Sequence, residues 1–397
     1  MKRLLVVGAG FLQSFVIKKA KALGYYTLAI DKNPNSIGFS YADEYEAIDI
    51  VDQESCLRYA QSKSIDGVVT AATDYGVLTA AYIAQCMKLS GLNYEIAKVV
   101  KNKYKVRRIL SKHNVDDMSQ SYEINEINEI DEISYRIHFP VMVKPCDGSG
   151  SRAVRRVNSL EGLKDACNES MKASLMGKVL IEDFVEGREY GVESFVYNGQ
   201  VYVLGVIGKC MTSPPDYAEL GHCIPSKLAI EDKVKEVAKR AIEALGINFG
   251  AVNMDVIVTE DERVYIVDIG ARMGGNLIGS HIIPIGTGID YMGSLIRAAV
   301  NDSVDLSSKT SKKNVVTRIL ALTPGKVMNL PNFQEISQKC QVHIYHYLEK
   351  GSIIKEYHNN LDGCGYIVAV AGEIKEAERR ARKAMCLIDA GIEREIV

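Results

Sequence analysis

Residues 252–275 read VNMDVIVTEDERVYIVDIGARMGG. Two apolar runs, Val256-Ile257-Val258 and Tyr265-Ile266-Val267, flank the polar knot Glu260-Asp261-Glu262-Arg263, which is the pattern of a β-hairpin. A turn centred between Asp261 and Glu262 sets Asp255 opposite Asp268, with Cβ atoms about 5 Å apart, where like charges destabilise a sheet. Replacing one of them, as in Asp268→Asn, is therefore expected to leave folding intact or slightly improved. Two opposed carboxylates on half-buried strands need either a shifted pKa or a cation between them. Oxygen-only ligands suit Mg2+ or Mn2+; the plainer alternative is a pair of solvent-facing aspartates. The same register sets Asn253 opposite Gly270, on the face of the acids, where its amide oxygen can add a ligand. Arg272 stands four residues past Asp268 and precedes Gly274-Gly275. An arginine there suits a negatively charged intermediate, and the glycines let a substrate approach the backbone.

The chain has 397 residues, enough for two to three domains or one multi-lobed unit. A hydrophobic content of 47% and a charged content of 25% are those of an ordinary globular protein. The net charge of −2 argues against a dedicated nucleic-acid or anionic-membrane binder. Nine cysteines without a C-x-x-C pair fit a reducing cytoplasm, not a disulfide framework or a zinc site. The opening MKRLLVVGAGFLQS lacks a signal-peptide cleavage pattern, and no stretch reaches the roughly 18 apolar residues of a membrane span.

Working outward from the hairpin, strands at LLVVG (4–8), TLAID (27–31) and DGVVTA (66–71) alternate with helical stretches at Phe11–Leu23, Leu57–Ser62 and GVLTAAYIAQCMKL. That alternation implies a parallel sheet in a first lobe over 1–98. VVKNKYKVRRILSKHN reads as one helix, and SQSYEINEINEIDEISYR as a strand end plus an acidic amphipathic helix. FPVMVKPCDGSGSRAVRRV is a strand, a glycine-serine loop and a second strand. KVLIEDFVEGREYGVESFVYNGQVYVLGVI alternates like antiparallel strands, with Tyr-Asn-Gly-Gln as a turn. The helix DKVKEVAKRAIEAL leads into the hairpin and DYMGSLIRAAV follows it. Beyond the polar SSKTSKK linker near 307–313, residues 314–397 read as a small α+β lobe.

Four further motifs carry chemistry. Gly8-Ala9-Gly10 after the first strand, with Asp31 ending the second, invites a dinucleotide reading, but the third glycine of that fingerprint is Gln13 here. A tight strand-to-helix turn explains the same residues. Lys144 followed by Asp147-Gly148-Ser149-Gly150-Ser151 can fold over phosphates, with backbone N–H groups, hydroxyls and a lysine charge. The alternative is a plain hairpin turn. With little to pack it, the loop is expected to be mobile without nucleotide. Glu182 to Glu189 is a strand end running into a turn, where backbone near Val185 can read an adenine edge and Glu189 can accept from ribose hydroxyls; solvated turn glutamates are the alternative. Thr73-Asp74 follows the third strand, at a sheet end that faces clefts, so Asp74 is either a substrate contact or a helix N-cap.

In this order, the motifs NKYKVRRIL, FPVMVKPCDGSGSRAV, IEDFVEGREYGVE, NMDVIV and VDIGARMGG resemble the ATP-grasp superfamily over most of the chain. The resemblance implies an α/β and α+β fold: a Rossmann-like N-terminal lobe (1–98), a two-subdomain ATP clamp (99–306, lid about 120–190) and a C-terminal α+β lobe (314–397). It implies Lys103 and Lys144 at the phosphates or adenine side, Ser149, Gly150 and Ser151 over the phosphates, Glu182 and Val185 at adenine and Glu189 at ribose. Asp255 and Asp268 match the magnesium acids and Arg272 the arginine near the reacting phosphate, with Asp74 and Gly275 toward the substrate. The family usually has glutamates at the two acids and commonly an asparagine where this chain has Gly270; Asn253 is the candidate replacement. The activity implied is an ADP-forming ligase, using ATP and Mg2+ (or Mn2+), that joins a small-molecule carboxylate to an amine through an acyl phosphate. Amino-acid ligases, phosphoribosylamine–glycine ligase and carbamoyl phosphate synthase large chains share the layout. The expected setting is cytoplasmic, without nucleic acid or membrane, and a homodimer is compatible with it. The competing readings are an NAD-dependent oxidoreductase built on Gly8 and Gly10, and a nucleotide-binding protein without catalysis.

Overall fold

The computed structural model describes residues 1–310 and 312–395; Ser311 of the polar linker and residues 396–397 of the expected C-terminal lobe lie outside the described residues. The first lobe is a parallel sheet in the order Glu44–Ala47, Tyr26–Asp31, Arg3–Val7, Gly67–Val69. Its central strand buries Leu4, Leu5, Val6 and Val7 completely, because helices cover both faces. The edge strand Glu44–Ala47 is mostly exposed.

The hairpin belongs to an eight-stranded antiparallel sheet in the order Val264–Gly270, Gly250–Val258, Arg188–Tyr197, Gln200–Met211, Glu219–Ile224, Asn314–Ile319, Gly365–Ala371, Val342–His346. Strands beyond the polar linker thus extend the sheet that carries the acids: Ile224 pairs with Val315 and His222 with Thr317. Asn198 and Gly199 both have positive φ (50° and 74°), as the two-residue turn Tyr197–Gln200 requires.

A smaller sheet, Ser121–Ile124, Val179–Asp183, Val141–Pro145 and Arg155–Val157, packs under the helix Leu163–Ala173. The Ile-Asn-Glu repeat supplies its inner face through Ile124 and Ile130, with Ile127 and Ile133 packed beside them. The segment expected as one helix from Val99 to Asn114 is two, Tyr94–Val100 and Lys103–Lys112. Asn102 breaks it by accepting from the Lys105 backbone N–H at 3.0 Å, the usual N-cap preference of asparagine, and so sets Lys103 at the head of the second helix. One core joins Val6, Val69 and Ala71 of the first lobe to Ile282 and Ile296 and to Val315 and Val368 beyond the linker. No helix among the described residues is long and apolar enough to cross a membrane.

Candidate active site

The hairpin pairs Asp255 with Asp268 and Asn253 with Gly270, though by a different route from the one its turn suggests. Val258 pairs with Val264 and Val256 with Ile266, so the turn is centred on Asp261. The register then shifts between Asp255 and Val256, leaving Val267 unpaired as a β-bulge. The bulge has a use: the Val267 carbonyl accepts from Lys144 Nζ at 2.9 Å.

Each aspartate has its own lysine. Lys103 Nζ pairs with Asp268, and Lys209 Nζ lies 2.6 Å from Asp255. Burial pushes the Asp268 carboxyl up, but Lys103 and then Lys144 outweigh it and hold the pKa at about 2. Burial raises Asp255, and Lys209 offsets only part of that. The two acids are therefore not a bare clash, and the expectation that Asp268→Asn is harmless to folding does not survive: it would strand Lys103. Their donors are hard oxygens on one sheet face, a set that fits Mg2+ or Mn2+.

Lys209 is a group the motif reading passed over. Its side chain is fully buried and holds three carboxylates, Asp255, Glu189 at 2.7 Å and Glu219 at 2.7 Å. Glu219 joins this face because β-strand pairing skips Leu220: His222 pairs with Lys209 but Glu219 with Met211. Its other oxygen accepts from Asn276 and, at 3.1 Å, from Asn360 beyond the linker. Glu189, the expected ribose contact, is committed to Lys209. A signal existed: a lone lysine ends the apolar run VLGVIG, the same oddity that marked Asp255.

Arg272 forks onto Asp74, Nε to Oδ1 and Nη2 to Oδ2, both at 2.9 Å. Nη1 donates to Asn253 Oδ1 at 3.1 Å and to the Met273 carbonyl at 3.4 Å. Of the five guanidinium N–H groups these bonds take four, so one remains for a ligand. Asp74 sits at the N-cap position of Tyr75–Met87 without capping it; both its oxygens serve Arg272. Asn253 donates at its other end to Glu193 at 2.7 Å, and its Oδ1, which accepts from Arg272, keeps a second lone pair. Glu193 is completely buried and also accepts from the Gly274 N–H at 3.0 Å and bonds Tyr291 Oη at 2.6 Å. Burial pushes its pKa up to about 8. A Cβ on Gly274 would lie 2.3 Å from Glu193 Oε1, so glycine there serves this packing. Gly275 faces Leu12 of the first lobe.

Lys144 also pairs with Glu182 at 2.5 Å, and Glu182 with Arg107 at 3.2 Å. The Glu182 side chain is thus buried in an ion network, while Val185 is half-buried in the turn that follows. The glycine-serine loop, expected to be unpacked, is tied on both sides. Ser151 donates to the Tyr217 carbonyl at 3.3 Å, Arg152 to Tyr75 Oη, and a Cβ on Gly150 would touch Asn360. Ser149 is half-buried between these ties. At the start of the loop, Asp147 and Gly148 line a solvent-open cavity together with Lys101, Lys103, Asp268 and Gly270.

The turn at Gly8–Gly10 is packed by neighbouring side chains. Asp31 accepts from the Ala9 N–H at 2.8 Å, and Gln13 packs over Gly8 and Gly10 while donating to the Ala71 carbonyl.

Residues 137–280 match the ATP-grasp domain. Over 100% of both chains the fold is similar to phosphoribosylglycinamide synthetase from Anaerococcus prevotii, at 26% identity and a TM-score of 0.76. It is similar to an L-amino acid ligase from Bacillus licheniformis at 20% identity and a TM-score of 0.85, covering 100% of this chain and 99% of that one. In sequence the chain is 21% identical over 353 residues to the carbamoyl phosphate synthase large chain of Thermoanaerobacter pseudethanolicus, covering 84% of this chain and 32% of that one. It therefore spans about a third of that relative's length.

Proposed function

We propose, from the premise that this chain carries an ATP-grasp domain, that it is an ADP-forming ligase activating a small-molecule carboxylate for attack by an amine, with ATP and Mg2+ (or Mn2+) as cofactors. One observation carries the reading: two opposed aspartates, each salt-bridged to a lysine, lie on one sheet face beside a half-sequestered arginine. Asp255 and Asp268 are the residues to hold the metal, which when bound neutralises charge on the nucleotide's phosphates. Lys103 and Lys144 add positive charge beside it. The loop from Asp147 to Ser151 covers the phosphates. Adenine lies against the backbone near Val185, in the seam between the two sheets.

In the reaction a carboxylate oxygen attacks the γ-phosphorus and the bridging oxygen leaves with ADP. The amine nitrogen then attacks the acyl carbon, phosphate departs, and the nitrogen gives up a proton. Positioning and charge neutralisation do most of this work. Asp74 and Asn253 act as positioning residues for Arg272, whose remaining N–H addresses the reacting phosphate. Free thiols suit a cytoplasmic setting.

The test is a matrix of carboxylates (amino acids, bicarbonate) against amines (amino acids, ammonia, phosphoribosylamine), read by ADP and phosphate release and by product mass. One pair should raise Mg2+-dependent ADP release clearly above that seen with ATP alone. Nucleotide binding with no turnover across the matrix would point to a non-catalytic binding protein instead.

A further inference from the structure

Two half-buried cations, Lys101 and Arg152, converge on one tyrosine, and the ligase reading assigns neither a task. Lys101 follows the helix Tyr94–Val100. Its Nζ lies 4.9 Å from the centroid of the Tyr75 ring and donates to the Asp147 backbone carbonyl at 2.9 Å. Arg152 ends the glycine-serine loop. While Ser151 beside it donates to the Tyr217 carbonyl, Arg152 turns to the first lobe and donates to the Tyr75 hydroxyl. Among the described residues neither cation has a carboxylate within salt-bridge distance. The acids nearby are already held. Asp74 is forked by Arg272, and Asp268 is paired with Lys103. Asp147 accepts from Ser174 Oγ at 2.5 Å and from the Met176 N–H at 3.2 Å. Burial draws the Lys101 pKa down, and Asp74 offsets only part of that. An ammonium has three N–H groups and a guanidinium five, and each makes one hydrogen bond here, so both keep donors to spare. Taking two cations partly out of water without a counter-charge is unfavourable, and an anion between them removes that cost. Lys101 also lines the solvent-open cavity that contains Asp74, Lys103 and Asp268, so this cationic corner adjoins the place of the reacting phosphate.

We propose that Lys101 and Arg152, gathered on Tyr75, form a subsite for a second anionic group of the acid substrate. The compound activated then carries, besides the carboxylate that takes the phosphoryl group, a further carboxylate or a phosphate ester. This rests on the ligase reading above and narrows its substrate class. The guanidinium offers two parallel N–H groups to such an oxyanion, and the lysine adds a point charge. The Tyr75 side chain holds the two cations in place without neutralising either.

Two measurements test it. Crystals of the chain with Mg2+ and adenylyl imidodiphosphate, a non-hydrolysable ATP analogue, are soaked in selenate, whose anomalous scattering marks a bound oxyanion. A peak within hydrogen-bond reach of both Lys101 and Arg152 is expected, and it should vanish in Lys101→Met with the analogue still bound. In solution, ADP release with the same set of amines is compared within pairs of acids that differ by one anionic group: succinate against butyrate, and 3-phosphoglycerate against glycerate. In at least one pair the member with the extra group should have the lower KM. Lys101→Met should raise that KM at least about tenfold, the loss of one charge-assisted hydrogen bond, while the KM of its partner hardly moves. The pair that responds separates a second carboxylate from a phosphate ester. If Lys101→Met does not fold, Arg152→Met takes its place. No selenate peak at these residues in a crystal that holds the analogue, or an equal peak in the variant, overturns the subsite and leaves the ligase reading standing. So does turnover in which the extra anionic group never lowers KM. Where neither member of a pair turns over, the selenate map decides. A chain that binds no analogue overturns the ligase reading, and this inference with it.

Discussion

Asp268 shows how one neighbour reverses the sign of an effect. Judged from the hairpin alone, its charge opposes Asp255 and costs stability. In the folded chain Lys103 lies against it, and the carboxyl titrates near 2, below its ordinary 3.8. A depressed carboxylate contributes stability above its unfolded pKa and loses it as pH falls through the folded value, here between about pH 4 and pH 2. Asp268→Asn should therefore destabilise the protein at pH 7. Breaking a buried pair costs about 3–5 kcal/mol and an exposed one about 0–1. With side chains 35% and 15% exposed, this pair belongs between them, at about 1–2 kcal/mol. Urea denaturation checks this, and adding Lys103→Met should recover most of the loss. A single variant as stable as wild type would restore the like-charge view.

At the scale of elements, two bulges and one latch set the geometry. The Val267 bulge offers a carbonyl to Lys144, and the skip at Leu220 brings Glu219 onto the face of Lys209. Neither is visible in hydrophobic periodicity, because Ile266, Val267 and Leu220 are all apolar and an inserted apolar residue leaves the pattern readable as a strand. The glycine-serine loop is latched where composition alone suggested freedom: Arg152 reaches Tyr75 of the first lobe. Tyr75→Phe removes that hydroxyl and should speed amide hydrogen exchange across residues 148–153 several-fold in the nucleotide-free protein, since local opening is then less opposed. Unchanged exchange in that peptide would show that the latch contributes nothing.

For the molecule as a whole, the sheet that bears the acids continues through the strands after the polar linker. Asn360 donates to Glu219 across 141 positions of sequence, and Tyr357 donates to its backbone carbonyl. Val315 and Val368 are completely buried in the core shared with the rest. A chain ending at residue 313 would expose the Glu219–Ile224 strand as an open edge and leave an apolar face uncovered, a combination that promotes aggregation. Such a fragment should run as soluble aggregate on size-exclusion chromatography or be lost to the pellet. A monodisperse, cooperatively unfolding fragment would show that the last segment is an independent unit.

Local chemistry determined what the sequence could tell by itself. Period-two and helical patterns placed most strands and helices, Asn-Gly marked a hairpin turn, and two aspartates inside apolar runs marked one face of a site. Motif order then pointed to the ATP-grasp fold. These signals are legible because strand alternation and turn geometry act over a few residues. Tertiary structure alone decided the charge partners: Lys103 for Asp268, Lys209 for three acids, and Asp74 for Arg272 across 198 positions of sequence. The physical reason is that an ion pair depends on which strands become neighbours and on where a bulge shifts their register. Coulomb attraction and burial select those partners only after the chain has folded, and no short-range pattern records the choice.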